Sequence, residues 1–268
     1  RLYEEARENQ LRLQDDLNTA REIQRQLLPH GANGIPGLDL AAAYVPAREL
    51  GGDFYDFLPY GQGKLALALG DVSGKGTAAA LFGSLAIGTL RELVVSSTCN
   101  PACMLQMLNH RMHGARLDAR FIAMLFAVYD AATRRLTLAN AGGPYPLLVR
   151  GGTAQEIRIE GVPLGLFPEN DYEETTVDLQ PGDVVLFASD GILESENATQ
   201  EEFGSQRLHA LLADAGRADS ANELSERIIA ATDDHSGPGT NPHDDRTLLV
   251  LRVTGENGAD YTKLPVIY

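Results

Sequence analysis

Four acidic sites in the sequence share one local pattern, an aspartate at the end of an apolar segment beside a glycine or a turn. They are Asp53 after Gly52, Asp71 after Gly70, Asp190 between Ser189 and Gly191, and the pair Asp244 and Asp245. A strand end is rigid, and a neighbouring glycine lets a ligand or another backbone approach closely. If these carboxylates converge, they repel each other unless a cation lies between them.

Such a site would offer only oxygen ligands. Oxygen ligation selects hard cations such as magnesium or manganese over zinc or copper. Two of these ions about 3.5–4 Å apart form a site for in-line displacement at phosphorus. An Asp-Gly motif alone is most often a turn, so the prediction depends on all four sites occurring together.

The elements that must position these carboxylates read as strands joined by tight turns. Residues 49–58 and 64–71 flank Gly61-Gln62-Gly63, which predicts a hairpin that brings Asp53 close to Asp71. Further hairpins are predicted around 130–134, at Gly151-Gly152 and at Gln180-Pro181-Gly182, with single strands over 38–44 and 247–253. Successive hairpins indicate antiparallel sheets and not βαβ units.

Apolar patterns also predict helices, over 1–28, 76–96, 101–117, 204–215 and 219–233. The helix over 76–96 has little polar surface and is expected to be mostly buried, with Ser73 or Thr77 as its cap. The predicted fold class is therefore α+β. It is a layered sandwich of two antiparallel β-sheets flanked by α-helices, with an N-terminal coiled-coil-like helix.

The N-terminal helix has a heptad seam. Its members alternate at spacings of three and four and include two polar residues; they are Tyr3, Ala6, Gln10, Leu13, Leu17, Ala20, Gln24 and Leu27. Such a seam suits a dimeric coiled coil or a helix that docks on its own domain, and Pro29 ends it. We expect a linker helix over 1–28, one domain over 29–254 and a tail over 255–268.

Composition narrows the class of protein. The formal charge is −15, which argues against nucleic-acid or anionic-membrane binding and suits a cation site. No apolar run is expected to span a membrane, and no signal peptide is visible. Two cysteines, Cys99 and Cys103, give no disulfide framework and favour the cytoplasm. The first residue is Arg1, so a further domain is expected upstream.

Seven motifs together resemble the PPM-type protein serine/threonine phosphatases, in the bacterial SpoIIE/RsbU-like branch. They are Glu49-Leu-Gly-Gly-Asp-Phe-Tyr-Asp56, Gly70-Asp-Val-Ser-Gly-Lys-Gly76, Ala139-Asn-Ala-Gly-Gly-Pro-Tyr-Pro146, Gly161-Val-Pro-Leu-Gly-Leu166, Leu179-Gln-Pro-Gly-Asp183, Phe187-Ala-Ser-Asp-Gly191 and Asp244-Asp-Arg-Thr247. The segment from Ala20 to Pro29 looks like the linker that joins this domain to an upstream sensor in that branch. The resemblance covers residues 18–254.

The resemblance implies two divalent metal ions, Mn²⁺ or Mg²⁺. Asp71 would bridge both ions, with Asp53 and the Val72 carbonyl on one. Asp190 and Asp244 would complete the other, with Asp245 as the weaker alternative. A metal-activated water would then hydrolyse phosphoserine or phosphothreonine on a protein.

The branch also implies partners and regulation. The substrate would be a phosphorylated protein like an anti-anti-sigma factor, in stress-response signalling and sigma-factor regulation. The helices over 76–96 and 101–117 would move to complete the metal site, under control of the N-terminal helix and a homodimer formed through it.

Several alternatives stay open at this stage. Arg48 and Lys75 either contact the phosphate or lie on the surface, and His235 and His243 either donate a proton to the leaving group or are exposed loop residues. A nucleotide-binding enzyme is a weaker reading, because Gly76 stands where a Walker A loop has serine or threonine. The remaining alternative is a non-catalytic or weakly active signalling module of the same fold that binds a partner protein.

Overall fold

The computed structural model describes residues 2–29, 35–115, 120–240, 242–255 and 266–267. Its helices are α1 (Leu2–Leu27), α2 (Thr77–Ser96), α3 (Pro101–Gly114), α4 (Asp190–Leu193), α5 (Gly204–Ala213) and α6 (Ala221–Ser236), with a 3₁₀ turn at Ala215–Arg217. Its strands are β1 (Leu38–Val45), β2 (Phe54–Pro59), β3 (Lys64–Val72), β4 (Ile122–Asp130), β5 (Arg135–Ala141), β6 (Leu147–Arg150), β7 (Thr153–Glu156), β8 (Glu174–Asp178), β9 (Val184–Ala188), β10 (Arg246–Val253) and β11 (Val266–Ile267).

These strands form two sheets. The first has the order β11-β1-β10-β9-β6-β7 and the second the order β2-β3-β4-β5-β8. All pairs are antiparallel except the two-residue pairing of β11 with β1. The predicted α+β sandwich of two antiparallel sheets is confirmed, and β11 comes from the predicted tail, most of which lies outside the described residues.

Two apolar clusters hold the layers together. One lies between the sheets and continues under α2 and α3, which pack on the second sheet. The other lies between the first sheet and helices α5 and α6. Helices therefore cover both outer faces, and the central strands of both sheets read as nearly continuous apolar runs because both of their faces are buried.

The strand β3 shows how the sequence produces this arrangement. Seven of its nine residues, Leu65 to Gly70 and Val72, are buried and are apolar or glycine. The strand pairs with β2 on one side and with β4 on the other. The turn between β2 and β3 contains Gly61 and Gly63, both with positive φ, a conformation that glycine adopts without strain. The predicted hairpin is confirmed.

The predicted hairpin around Gln180-Pro181-Gly182 is wrong. Strand β8 pairs with β5 in the second sheet, whereas β9 pairs with β10 and β6 in the first. The turn therefore carries the chain from one sheet to the other, where the side chain of Arg150 bonds Asp183 at 2.6 Å. The polar alternation of β8 suits an edge strand, and the apolar run of β9 suits a central strand.

Helix α2 also departs from its prediction. It is less buried than expected, since Leu81 and Leu85 are 67% and 43% exposed. Its N-cap is Gly76, which has no side-chain cap bond, and the Ser73 hydroxyl instead accepts a hydrogen bond from the Phe121 amide at 2.9 Å. Ser73 does not cap the helix, because its hydroxyl is bonded to the amide just before β4.

The expectation that no apolar run reaches membrane-span length needs correction as well. Within the described part of the chain, α2 is long and apolar enough by length and composition. Half of that stretch is buried inside the domain, where α2 contacts β2, β3 and α3. Such burial is the ordinary property of a core helix.

Candidate active site

Asp53 and Asp71 lie side by side at the ends of paired strands. Asp53 immediately precedes β2 and Asp71 is near the end of β3, and the pairing of Phe54 with Gly70 brings them together. The Asp53 side chain is hydrogen-bonded to that of Asp71, and it also accepts a bond from the Thr247 hydroxyl at 2.5 Å. The predicted proximity of the two carboxyl groups is confirmed.

Burial and crowding change the acidity of both groups. Asp53 is only 3% exposed, and burial, followed by the charges of Asp71 and Asp245, raises its pKa well above its usual range. Burial, followed by the charges of Asp190 and Asp244, raises the pKa of Asp71 to about 7. Carboxyl groups with raised pKa values gain from a cation that neutralises them.

Asp190 and Asp244 reach the same place from the first sheet. Asp190 begins α4 directly after β9, and Asp244 lies just before β10, which pairs with β9. Burial, followed by the charge of Asp244, raises the pKa of Asp190. We refer to Asp53, Asp71, Asp190 and Asp244 as the carboxylate cluster, since each of them acts electrostatically on at least one other member.

Asp245 has a different position from its neighbour in the sequence. One of its carboxylate oxygens accepts from the Ala47 amide at 2.8 Å, and the other accepts from the amides of Gly52 at 2.5 Å and Asp53 at 3.3 Å. Asp245 is 7% exposed. It therefore holds the backbone that carries Asp53.

The Val72 carbonyl lies beside the same backbone. A Cβ atom built on Gly52 would be 3.1 Å from the Val72 oxygen. The loop that follows Val72 is held by Arg120, whose guanidinium donates to the Ser73 carbonyl at 2.9 Å. The carbonyl is thus placed on the Asp53 side of the cluster.

The cationic side chains predicted near the site take different positions. Lys75 Nζ lies 2.8 Å from Asp244 Oδ2 and also donates to the His243 carbonyl. Arg48 is exposed, and its carbonyl accepts from Arg21 at 3.3 Å. Of the two candidate side chains, the structure brings only Lys75 to the cluster.

The two candidate histidines, His235 and His243, also have different surroundings. The ring of His235 packs against Phe203 with centroids 5.7 Å apart, and its Nε2 is 2.8 Å from the Glu201 carbonyl. His243 is exposed directly beside Asp244, with Nε2 3.8 Å from Glu196. His235 is engaged in packing, and His243 lies next to the cluster.

A cleft opens on the cluster. A cavity of about 270 Å³ reaches Asp71 and Asp190, and Gly143 and Pro144 form part of its wall. Asn140, which is 1% exposed, shapes that wall, because its side chain bonds both the amide and the carbonyl of Gly143 at 2.8 and 2.9 Å. The predicted site residues did not include Asn140, although it lies within one of the seven motifs.

Thr247 and Arg120 were also missed. Thr247 follows the Asp244-Asp245 pair in one of the motifs, so its proximity to Asp53 had a signal in the sequence. Arg120 had no such signal, because it belongs to none of the seven motifs.

The donor set of the cluster fits a hard divalent cation. Its side chains offer only oxygen atoms, and the crowded carboxyl groups have raised pKa values that such a cation would relieve. Among the described residues, no three His, Cys, Asp or Glu side chains are arranged as a ready ligand set for one ion. Asp244 is instead turned to Lys75.

Comparisons with known proteins agree with this fold. The family model described as Stage II sporulation protein E (SpoIIE) matches residues 61–254. Phosphoserine phosphatase RsbU of Bacillus subtilis is 28% identical over 248 residues, which cover 91% of this chain and 71% of RsbU. Protein IcfG of Synechocystis is 29% identical over 220 residues, which cover 72% of this chain.

The chain spans only 35% of the length of IcfG. Among solved structures, the SiaA-PP2C domain of Pseudomonas aeruginosa superposes with a TM-score of 0.78 at 24% identity, covering 91% of this chain and 98% of that domain. The fold is therefore that of the PP2C-type phosphatases. The chain belongs to the SpoIIE family of PP2C-type phosphatase domains, as its motifs indicated.

Proposed function

We propose that this protein is a metal-dependent protein serine/threonine phosphatase that hydrolyses phosphoserine or phosphothreonine on a signalling protein. The observation that carries the proposal is the convergence of Asp53, Asp71, Asp190 and Asp244 from both sheets, with Asp71 and Asp190 lining a cleft. RsbU, with which the chain aligns over most of its length, is named a phosphoserine phosphatase.

Two divalent ions, Mn²⁺ or Mg²⁺, are the cofactors in this proposal. Asp71 would be shared by both, Asp53 and the Val72 carbonyl would serve one, and Asp190 and Asp244 the other. The catalytic domain of the phosphatase PstP, which has the same fold, was solved in complex with two manganese ions. Asp245 is the weaker candidate, because its oxygens already accept three backbone amides.

The residues of the chain would prepare the reaction in three ways. The Thr247 hydroxyl orients Asp53, the Asp245 carboxylate fixes the backbone before it, and the Gly143-Pro144 wall leaves a cleft for a phosphorylated side chain. When bound, the ions would supply an ionised water for in-line attack on phosphorus and neutralise the phosphoryl oxygens. Of the two histidines, His243 would be the candidate to assist the leaving group, because it adjoins Asp244 in the sequence.

The proposed substrate is a phosphorylated protein like an anti-anti-sigma factor, in a cytoplasmic partner-switching pathway. A solved structure of the RsbU and RsbW domains of Rv1364c from Mycobacterium tuberculosis resembles this chain at 26% identity with a TM-score of 0.73. In that protein an RsbU domain and an RsbW domain share one polypeptide. That arrangement supports a signalling role for the domain.

Regulation through α1 is part of the proposal, because α1 touches the backbone beside the cluster. The Gln24 side chain bonds both the carbonyl and the amide of Gly51, at 2.7 and 3.2 Å, two residues before Asp53. Arg91 of α2 donates to the Leu27 carbonyl at 2.7 Å and to Asp56 at 2.6 Å. A rotation of α1 would therefore pull on both the Asp53 backbone and α2.

A homodimer through α1 would deliver such a rotation from an upstream sensor. No α1 residue is buried in the described structure, and the seam residues Tyr3 and Leu13 are 81% and 61% exposed. Gln24, a seam residue near the end of α1, is instead hydrogen-bonded to Gly51. The exposed part of the seam, with Tyr3 and Leu13, would contact a partner helix, whereas Gln24 contacts the domain.

The test is metal-dependent hydrolysis of p-nitrophenyl phosphate and of a phosphoserine protein panel, with Asp71→Ala and Asp190→Ala as matched variants. The proposal predicts activity with Mn²⁺ or Mg²⁺ that EDTA and each variant abolish. Hydrolysis unaffected by EDTA would contradict it. A wild-type protein that is inactive with either metal but still captures a phosphoprotein would favour the non-catalytic module.

A further inference from the structure

Lys75 is paired with one carboxylate oxygen of Asp244, a residue that would hold a metal ion in the proposed site. Its Nζ lies 2.8 Å from Asp244 Oδ2, and the two side chains are 41% and 35% exposed. The ammonium also donates to the His243 carbonyl. Lys75 is thereby anchored to the segment that carries Asp244.

The direct partner of Lys75 is Asp244, and its charge also acts on Asp190. Lys75 is therefore a counter-charge on the open side of the cluster.

A divalent ion and this ammonium are poorly compatible. Mg²⁺ binds carboxylate oxygen at about 2.0–2.1 Å. With Lys75 Nζ 2.8 Å from the same oxygen, an ion on Asp244 would be at most about 5 Å from the ammonium. Two cations at that separation repel each other, so binding of the ion favours departure of Lys75.

The backbone around Lys75 allows that departure. Gly74 and Gly76 flank it with φ values of 93° and 76°, a region that glycine populates freely. Gly76 is the N-cap of α2 and has no side-chain cap bond. A Cβ built on Gly76 would meet no atom within 4 Å, so there is open space beside this pivot.

We propose that Lys75 is an intramolecular competitor of the second divalent cation, which it excludes from Asp244 until it swings away at Gly74 and Gly76. The inference rests on the proposed metal site and adds a residue that sets the metal affinity of that site. By reciprocity, any event that detaches Lys75 from Asp244 also tightens metal binding.

The test is Mn²⁺ binding by isothermal titration calorimetry to the wild type, Lys75→Met and Lys75→Arg. Removal of the competing charge is expected to tighten the weaker Mn²⁺ site roughly three- to tenfold in Lys75→Met. Lys75→Arg keeps the charge and should stay within about twofold of the wild type. Lys64→Met is the matched control, because Lys64 forms an exposed ion pair with Asp130, at 3.4 Å, away from the cluster.

Thermal melting with and without Mn²⁺ gives a second readout. For a lysine with a purely structural role, the loss of melting temperature on substitution would not depend on Mn²⁺. In EDTA, Lys75→Met should melt below the wild type, because carboxylates of the cluster lose their counter-charge. In saturating Mn²⁺ that deficit should vanish, whereas any deficit of Lys64→Met should persist.

Each outcome decides the matter. Equal or weaker Mn²⁺ binding by Lys75→Met than by Lys64→Met overturns the inference and leaves the proposed function intact. A wild-type protein that binds no Mn²⁺ removes the inference together with the proposed function.

Discussion

The carboxylate cluster has a buried half and an open half, and the two are held in different ways. In the buried half, Asp53 is fixed by the Thr247 hydroxyl and by a backbone that Asp245 binds. In the open half, Asp244 is held by the exposed ammonium of Lys75. The buried half is part of the folded sheets, whereas the open half depends on an ion pair that another cation can replace.

Asp244 and Asp245 show the difference most directly. They are adjacent in the sequence, yet one carboxylate points to Lys75 and the other accepts three backbone amides. Residues of one type at consecutive positions thus have different contacts, and in the proposed function only Asp244 would bind an ion.

The largest expected effect is on catalysis. Asp71→Asn removes the carboxylate that both ions would share, so activity should fall at least about a thousandfold, since metal catalysis is worth several kcal/mol. The EDTA-treated variant should melt no lower than the wild type, because a repelling charge next to Asp53 is gone. Phosphatase assays with Mn²⁺ and melting in EDTA measure both effects.

The control for that substitution is Asp178→Asn on β8, which loses an exposed pair with Arg135. It should leave activity unchanged. If Asp71→Asn kept more than about a tenth of the wild-type activity, the shared-ligand role would be wrong.

The second effect is on folding. Asp245→Ala leaves three backbone amides without their acceptor, which should lower the free energy of unfolding by about 2–4 kcal/mol. Asp244→Ala, its matched control, loses one exposed ion pair and a single hydrogen bond from the Asp245 amide, and should cost about 1 kcal/mol. Urea unfolding in EDTA compares them, and equal losses would erase the distinction between the two halves.

The sequence could predict only part of this division. The Gly61–Gly63 turn and two apolar runs were enough to place Asp53 beside Asp71. The roles of Asp244 and Asp245 depend on where β10 begins and on its pairing with β1, which sets Thr247 opposite Tyr44. That register arises from packing of the whole sheet, so neither aspartate could be assigned from local pattern alone.

The wrong prediction of a hairpin at Gln180-Pro181-Gly182 has a similar cause. A Pro-Gly turn specifies a reversal of the chain but not whether the two strands pair with each other. Here burial decided the outcome, because β9 is apolar throughout and β8 alternates. The motifs around the site were more informative than the turns.

The third effect is on pH dependence. Burial raises the pKa of Asp71 from 3.8 to about 7 in the folded protein. The folded state therefore binds a proton that the unfolded state loses, so in EDTA stability should fall as the pH rises from about 4 to about 7. Urea unfolding at pH 5 and pH 8 checks this.

Asp71→Asn should reduce that dependence, because one of the residues with a raised pKa is absent. Saturating Mn²⁺ should reverse it, since the ions bind the ionised carboxylates. An EDTA-treated wild type that grows more stable between pH 5 and pH 8 would show that the folded cluster does not retain the proton.

The smallest effect concerns the attachment of α1 to the buried half. Gln24→Ala loses both bonds to Gly51 and should weaken the docking of α1 by about 1 kcal/mol, seen as faster amide hydrogen exchange near the end of the helix. Gln14→Ala is the control, because Gln14 bonds Asn18 on the exposed helix surface. Equal exchange in the two variants would remove Gln24 as a link to the site.

The central claim is that aspartates from both sheets bind a pair of divalent ions that activate water against a phosphate ester. Anomalous scattering from a crystal soaked in Mn²⁺ tests it most directly. The account predicts two peaks, both within bonding distance of the Asp71 carboxylate. One should also lie near Asp53 and the Val72 carbonyl, and the other near Asp190 and Asp244. No peak among these side chains, in a protein whose hydrolysis survives EDTA, would contradict it.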